Sequence, residues 1–288
     1  MSPLVNRNLN SRSNPDFVQP ERIPWSTLGP HFIEEWGHDG NKMRGEHIEI
    51  CGQTGSGKSY AEATILQQRA ARWNTAEIVV VTKESDDSIP LLGWQVCDKF
   101  EDIQKYRQCI FWPKTNAQGE AREAFHEEQI HELLSSLWMP DANVVLAFDE
   151  IGYVEDLSVR LKKQIRMYWR EGRSHNISIV AMKQRPVGVQ RDQHSESRWK
   201  IVFPPADQGD MKRFAEMLGR VGDWQPVLET VDQRNHEFVI RNSVTKDAYI
   251  SWIDQELKPV KAQGEQQGKS TSEWMTKRRA GDNSSQER

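Results

Sequence analysis

The eight residues Gly52–Ser59, with the sequence GQTGSGKS, constrain this chain more than any other feature of its sequence. They match the pattern GxxxxGK[ST], in which glycines let successive backbone N–H groups turn inward around a row of phosphates. The pattern has this meaning only between a strand and a helix. The run His47–Cys51 predicts the strand, and the apolar spacing of residues 61–70 predicts a helix over Ser59–Arg72. These flanking elements argue against a chance match in a glycine-rich surface loop.

The loop has the groups needed to bind a nucleoside triphosphate. Lys58 is long enough to reach the β- and γ-phosphates, and the Ser59 hydroxyl is a ligand for Mg²⁺. The helix that follows adds the partial positive charge of its N-terminus. We therefore predict ATP and Mg²⁺ as cofactors, with the nucleotide bound by Gly52, Gln53, Thr54, Gly55, Ser56, Gly57, Lys58, Ser59 and Tyr60.

A second acidic site follows further along the chain. The run Asn143–Asp149 predicts a buried strand that ends in two adjacent carboxylates, Asp149 and Glu150. Next to a phosphate-binding loop, Asp149 is expected to hold Mg²⁺, directly or through water, and Glu150 to polarise the attacking water. A strand that ends in two solvated acids is the alternative. The adjacent glutamate favours a nucleotide hydrolase over a kinase or a slow GTPase switch, and the lack of an NKxD motif favours ATP over GTP.

Strands and helices alternate from His47 onward, which predicts an α/β fold with a mostly parallel central sheet. Further strands are expected at Ala76–Thr82, Cys109–Trp112, Ile177–Met182 and Lys200–Phe203, and helices over residues 120–138 and 155–171. Antiparallel additions near the C-terminus are expected from Phe238–Arg241 and Ala248–Trp252. Both ends are polar and lack an apolar period. The predicted division is a flexible N-terminal arm (1–24), an ATPase domain (25–257) and a disordered C-terminal tail (258–288).

A basic stretch lies between Arg160 and Lys200. It holds 11 Lys and Arg against three acids, a balance of +8 in a chain whose net charge is −4. Such segregation is typical of a surface that binds a polyanion such as DNA. Basic loops after residue 153 and around 187–198 are the expected DNA-facing segments. For residues 160–166, a solvated helix face is the alternative.

The segment from Arg170 to Pro186 resembles the GR…GI…TQRP segment of the FtsK–HerA superfamily of DNA-pumping ATPases. The resemblance covers residues 47–205 and includes the phosphate-binding loop, the Asp149-Glu150 strand and this segment in the family's order. It implies a RecA-like P-loop core and a homo-oligomeric ring, expected to be a hexamer, around double-stranded DNA. Short members without a membrane anchor include genome-packaging ATPases of viruses, so capsid or portal-type proteins are implied partners.

The resemblance also implies catalytic roles for individual residues. Lys58 and Glu150 would act in their own subunit, whereas Arg173, or as a second choice Arg170, would enter the neighbouring subunit's site. Gln184 would sense the γ-phosphate; a plain loop glutamine is the alternative. Met182-Lys183 departs from the small residue and Thr that usually precede this glutamine, which affects the sensor geometry.

Two other functions stay open. The GSGKSY loop is also similar to that of the zonular-occludens-type ATPases of filamentous phages, which predicts a virion- or protein-export ATPase. In that case the basic stretch binds an acidic partner. The third hypothesis is a nucleotide-dependent assembly scaffold without catalysis, and the intact Lys58, Asp149 and Glu150 argue against it.

Composition sets limits on the remaining classes. A net charge of −4 excludes a uniformly basic nucleic-acid coat. No run approaches the ~18 apolar residues of a membrane span, and the N-terminus lacks the apolar core of a signal peptide. We therefore expect no membrane insertion and a cytoplasmic location, in a host cell or associated with a virion. Three cysteines without CxxC spacing indicate neither a disulfide framework nor a zinc site.

Overall fold

The computed structural model describes residues 17–36, 38–39, 42–43, 45–73, 75–85, 89–185, 191–205 and 207–257. The predictions for most of the N-terminal arm (1–16), for part of the basic stretch (186–190) and for the tail (258–288) lie outside these residues.

Twelve strands occur in the described residues, and ten of them form one sheet. They are β1 (Glu21–Arg22), β2 (His38–Asp39), β3 (Lys42–Met43), β4 (His47–Cys51), β5 (Ala76–Val80), β6 (Gln95–Cys97), β7 (Gln108–Phe111), β8 (Val144–Phe148), β9 (Ile177–Lys183), β10 (Ser197–Val202), β11 (Phe238–Asn242) and β12 (Ala248–Ser251). Strands β2 and β3 pair separately as a short antiparallel hairpin.

Nine α-helices occur in the same residues. They are α1 (Trp25–Glu35), α2 (Lys58–Arg72), α3 (Phe100–Ile103), α4 (Glu120–Leu137), α5 (Ile151–Leu157), α6 (Val159–Glu171), α7 (Arg191–Glu196), α8 (Gln208–Leu218) and α9 (Val221–Thr230). None of these helices is long and apolar enough to cross a membrane.

The large sheet is mostly parallel. Its order is β1-β12-β11-β10-β4-β9-β8-β5-β7-β6. All neighbours from β10 to β6 are parallel, whereas β11 is antiparallel to both β10 and β12. The predicted α/β fold class, with antiparallel additions near the C-terminus, is confirmed.

Helices cover both faces of the sheet, because side chains along each strand alternate between the two. On β4, Ile48 and Ile50 belong to the core that packs on α1 and α2. Cys51 points to the opposite face, where α8 and α9 pack. Further along that face, α4, α5 and α6 cover β8 and β9. Burial on both faces explains why the central strands are almost wholly apolar.

The single helix predicted over residues 155–171 is two helices, because Ser158 breaks it. Ser158 has an extended backbone (φ −163°, ψ 160°), and its hydroxyl accepts a hydrogen bond from the N–H of Leu161. A serine in this role starts a new helix and satisfies one of its free N–H groups. The prediction of a basic loop after residue 153 is therefore wrong, since α5 and α6 occupy that part of the chain.

Part of the predicted arm lies on the domain. Residues Glu21 and Arg22 pair with β12 as a parallel edge strand, and the Phe17 ring packs edge-on against Trp224, with 5.2 Å between ring centroids. The polar composition of residues 1–24 gave no sign of these contacts. The folded region therefore includes residues 17–24, which the sequence assigned to the arm.

Candidate nucleotide-binding site

The site lies at the carboxyl ends of three adjacent parallel strands. The phosphate-binding loop follows β4, Asp149 follows β8, and β9 lies between these two strands. The N–H of Gly52 donates to the carbonyl of Lys183, at 3.1 Å, so the loop begins directly beside the end of β9. Because carboxyl ends of parallel strands share one edge, the loop, the acids and Gln184 lie at the same edge.

Glycine is required at two positions of the loop. Gly57 has φ +99° and precedes the first turn of α2, a left-handed conformation that other residues adopt only at a cost. At Gly52, a Cβ would lie 2.6 Å from the Cβ of Phe203. A turn between them is closed by the Ser56 N–H, which donates to the carbonyl of Gln53 at 3.2 Å.

Lys58 spans the loop. Its ammonium donates to the carbonyl of Gln53, at 2.9 Å, and its side chain is largely buried. Burial lowers the pKa of Lys58, the charge of Lys83 acts in the same direction, and the carboxylates of Glu150 and Asp149 oppose both. The Lys58 ammonium thus lies within electrostatic range of Asp149 and Glu150.

Asp149 and Glu150 differ in their surroundings. Asp149 is 2% exposed, and both of its carboxylate oxygens contact the ammonium of Lys83, at 2.9 and 2.7 Å. Glu150 stands at the start of α5 and is less buried. Burial raises the pKa of Glu150, and the neighbouring charge of Asp149 raises it further. One acid is held as a buried ion pair and the other is a more basic carboxylate at the site surface.

The residues expected to bind Mg²⁺ offer suitable groups. Mg²⁺ prefers hard oxygen ligands, and the Ser59 hydroxyl and the Asp149 carboxylate are both at this edge. Ser59 lies in the first turn of α2, and Asp149 directly follows β8. The donor set therefore fits Mg²⁺.

Arg170 and Arg173 lie at the other end of the strands, near the amino end of β9. They precede β9, whose seven residues span about 20 Å at ~3.3 Å per residue, so neither residue reaches its own subunit's site. Arg170 pairs with Asp192 at 2.9 Å and Arg173 with Glu196 at 3.1 Å, both on α7. Gln184, in contrast, is exposed at the site edge.

Much of the charge in the basic stretch is neutralised within the chain. Arg160 contacts two glutamates of α4, Arg198 pairs with Glu46, and Lys183 lies 3.9 Å from Glu155. Arg166 also pairs with Asp192. Several of these acids lie outside residues 160–200, so a count within that window misses them. The free positive surface is smaller than the balance of +8 suggested, and Lys162 and Lys163 on α6 remain exposed.

Two residues near the nucleotide site, Ser56 of the loop and Tyr60 in the first turn of α2, contact the C-terminal part of the chain. The His236 ring lies against the loop, with its Nδ1 3.1 Å from the Ser56 carbonyl. The Tyr60 hydroxyl donates to the Gln255 carbonyl, at 3.1 Å, and accepts from the Leu257 N–H, at 2.8 Å. Sequence reasoning missed His236 and Lys83. Lys83 had one available signal, since a basic residue follows an apolar strand; His236 had none.

No protein-family model matches the chain, and no curated protein is similar to it in sequence. Solved structures are similar to it in fold. B204, the DNA-packaging ATPase of Sulfolobus Turreted Icosahedral Virus, is 15% identical, with 75% of this chain and 98% of that chain covered and a TM-score of 0.53. The genome packaging NTPase B204 of Sulfolobus turreted icosahedral virus 2 gives a TM-score of 0.54 at 15% identity with sulfate bound, covering 73% and 98%. Its AMPPCP complex gives 0.54 at 12% identity, with the same coverage.

These similarities, at such low identity, establish the fold. The chain has the RecA-like fold of P-loop packaging ATPases, which confirms the fold predicted from the sequence. The fold that the FtsK–HerA resemblance implied is the fold that the chain has.

Proposed function

We propose that this protein is an ATP-hydrolysing DNA translocase of the FtsK–HerA type, which pumps double-stranded DNA during packaging of a viral genome. One observation carries the proposal: the phosphate-binding loop and the Asp149-Glu150 pair meet at one edge of a parallel sheet, with Gln184 beside them. The solved neighbours support it, because they are named as DNA-packaging or genome-packaging enzymes and one is a complex with AMPPCP.

Each loop residue has a role in binding MgATP. The backbone N–H groups of residues 52–59 and the N-terminus of α2 hold the phosphates, and Tyr60 continues this turn. Lys58 leaves the Gln53 carbonyl and contacts the β- and γ-phosphates. Ser59 and Asp149 would hold Mg²⁺, and the bound ion would neutralise charge that develops on the phosphate oxygens.

Glu150 is the general base. Its carboxylate orients a water in line with the γ-phosphate and accepts a proton from it. Burial and the charge of Asp149 make this carboxylate a stronger base than an exposed glutamate. Gln184 lies at the same edge and senses whether the γ-phosphate is present.

A catalytic role for Arg173 requires a ring. An arginine at the far edge of the sheet is of use to catalysis only in the site of a neighbouring subunit. In a homo-oligomeric ring, most simply a hexamer, Arg173 leaves Glu196 and enters that site, and Arg170 is the second choice. Exposed lysines of α6 contribute to non-specific contact with DNA phosphates.

The same proposal implies partner proteins and a location for this protein. A packaging motor meets the capsid or a portal-type protein, in the host cytoplasm or at the virion. The competing function is a virion- or protein-export ATPase of the zonular-occludens type. One observation favours this second function. Acids of the same chain pair with Arg160, Arg166 and Arg198, which reduces the positive surface that could bind DNA.

The decisive experiment measures ATP turnover with and without duplex DNA at low salt, together with the mass of the assembly. We expect DNA to stimulate hydrolysis by a ring. Glu150→Gln should bind ATP but lose 100-fold or more in turnover, on the order of the usual contribution of a general base. Turnover that DNA does not change would support the export function, and undiminished hydrolysis by Glu150→Gln would remove the base assignment.

Mixed rings test the arginine. Arg173→Ala rings should be inactive, and mixing them with Glu150→Gln subunits should restore activity at interfaces that combine an intact Glu150 with an intact Arg173. Arg160→Ala is the matched control, because Arg160 is also an exposed arginine paired with glutamates. A failure of mixing to restore activity contradicts a finger supplied by the neighbour.

A further inference from the structure

Lys83 is a second lysine at the nucleotide site, and no sequence motif points to it. It lies beyond β5, the strand that pairs with β8 on the side away from β9. Its ammonium lies 2.7 Å and 2.9 Å from the two carboxylate oxygens of Asp149. The Asp149 side chain is fully buried, whereas 37% of the Lys83 side chain is exposed. The lysine thus covers the solvent side of the acid.

The backbone at this position is fixed, and the side chain is part-exposed. The Trp112 indole N–H donates to the Lys83 carbonyl at 2.8 Å, and the Arg122 guanidinium donates to the Thr82 carbonyl at 3.1 Å. A lysine with an anchored backbone and a part-exposed stem of four carbons can redirect its charge by rotation about its side-chain bonds alone.

Lys83 and Mg²⁺ compete for the same carboxylate. A cation bound by Asp149 needs the oxygens that the Lys83 ammonium now contacts, and two cations cannot share them at hydrogen-bond distance without strong repulsion. Direct coordination of Mg²⁺ by Asp149 would therefore displace Lys83 when MgATP binds. In the proposed complex, the terminal phosphate of MgATP would bring a new negative charge to this edge of the sheet, and the displaced ammonium would pair with it.

We propose that Lys83 is a phosphate-binding residue that pairs with Asp149 until Mg²⁺ displaces it, and then contacts the γ-phosphate. This inference rests on the proposed function, since it assumes that MgATP occupies the site. The exchange keeps the buried carboxylate neutralised in both states. Lys83 then contacts a nucleotide that carries a γ-phosphate, and binding of a nucleotide without one is not sufficient.

The test compares equilibrium binding of ATP and ADP to the full chain, over a Mg²⁺ titration, for wild type and Lys83→Met. Methionine keeps the length of the side chain and removes its charge. We expect two changes. The Mg²⁺ concentration that half-saturates ATP binding falls, because no ammonium must be displaced. The preference for ATP over ADP falls about tenfold or more, the effect of losing one charge-assisted hydrogen bond.

The matched control is Lys114→Met. Lys114 is an exposed lysine that follows β7 and lies over the Trp112 ring, 4.2 Å from its centroid, so it shares the neighbourhood without touching Asp149. This variant should bind both nucleotides as wild type does. Thermal unfolding shows whether Lys83→Met is folded.

If that variant does not fold, the ammonium of Lys83 in the wild-type protein can be followed by ¹⁵N NMR, with the signal assigned from Lys83→Arg. Its signal should move away from the free-protein position when Mg²⁺ displaces the ammonium from Asp149, and with Mg²⁺ present it should take different positions with ATPγS, where it contacts the γ-phosphate, and with ADP, where it does not.

Three results overturn the inference. If Lys83→Met needs the same Mg²⁺ concentration as wild type, Mg²⁺ does not displace Lys83 from Asp149. If its preference for ATP over ADP is unchanged, Lys83 does not contact the γ-phosphate. An ammonium signal that is the same with ATPγS and with ADP also contradicts the contact with the γ-phosphate. A wild-type protein that binds no ATP would contradict the proposed function as well, whereas normal wild-type binding with unchanged variant behaviour contradicts only the role of Lys83.

Discussion

The strand that leads into the phosphate-binding loop begins with a histidine that the fold holds neutral. His47 is fully buried. Its Nδ1 accepts a hydrogen bond from the Ile179 N–H, at 3.0 Å, so its Nε2 carries the proton and donates to the Trp169 carbonyl, at 3.1 Å. Burial lowers the pKa of His47 to about 3, and the charge of Arg173 contributes to this shift. Protonation would replace the accepted bond with two facing donors.

The consequence is a loss of stability in mild acid, and its size follows from the pKa difference. The ordinary pKa of 6.5 applies in the unfolded chain, so between pH 6.5 and about 3 the unfolded state binds a proton that the folded state does not. The contribution of His47 is fully present above pH 6.5 and is lost as the pH falls toward 3. At ~1.4 kcal/mol per pH unit, the free energy of unfolding falls by about 2 kcal/mol between pH 6.5 and 5 from this residue.

Urea unfolding of wild type and His47→Gln at pH 7 and pH 5 measures this term. Glutamine carries a donor and an acceptor but does not titrate, so the difference in stability between the two proteins should shrink by about 2 kcal/mol at the lower pH. Other titrating groups are common to both proteins and cancel. His31→Gln, at an exposed position of α1, is the control. If the wild-type and His47→Gln stabilities change in parallel between pH 7 and 5, a buried neutral histidine is not the cause and the reasoning fails.

Two further predictions concern the site itself. Burial raises the pKa of Glu150 above its ordinary 4.5. The rate of ATP hydrolysis at saturating ATP should therefore decline, as the pH falls, around a pKa above 4.5. A pH–rate profile whose acid limb lies at or below pH 4.5 argues against Glu150 as the base. Gly57→Ala should weaken ATP binding by about tenfold or more, since it places a Cβ at φ +99° and 3.2 Å from His236. Gly119→Ala, at φ +56° with no atom within 4 Å of the added Cβ, is its control, and equal affinities for the two variants in a nucleotide titration would refute the required loop conformation.

The sequence predicted those parts of the molecule whose information is local. The loop, its flanking strand and helix, and the strand before Asp149 each depend on residues adjacent in the chain, so pattern and motif suffice. Ser158 was also local, but the apolar period continues across it and hides the break. The helices α8 and α9 were not predicted.

What the sequence could not predict depends on partners that are distant in the chain. Lys83 meets Asp149 only because β5 and β8 are neighbours in the sheet, and His236 meets Ser56 only because the C-terminal part folds back on the loop. Charge counting failed for the same reason. Arg160 and Arg198 appear in excess within their own segment, yet their acids come from α4 and from the residue before His47.

Strand β9 has a role that its apolar sequence conceals. It begins at Ile177, four residues after Arg173, and ends at Lys183, next to Gln184. Its seven residues include no glycine or proline, and it is paired by β4 on one side and β8 on the other. Such a strand resists both stretching and bending. If Gln184 reads the nucleotide of its own subunit and Arg173 enters the site of the next, as proposed, this strand joins the two side chains rigidly, and neighbouring turnovers would stay in step without a long-range change of fold.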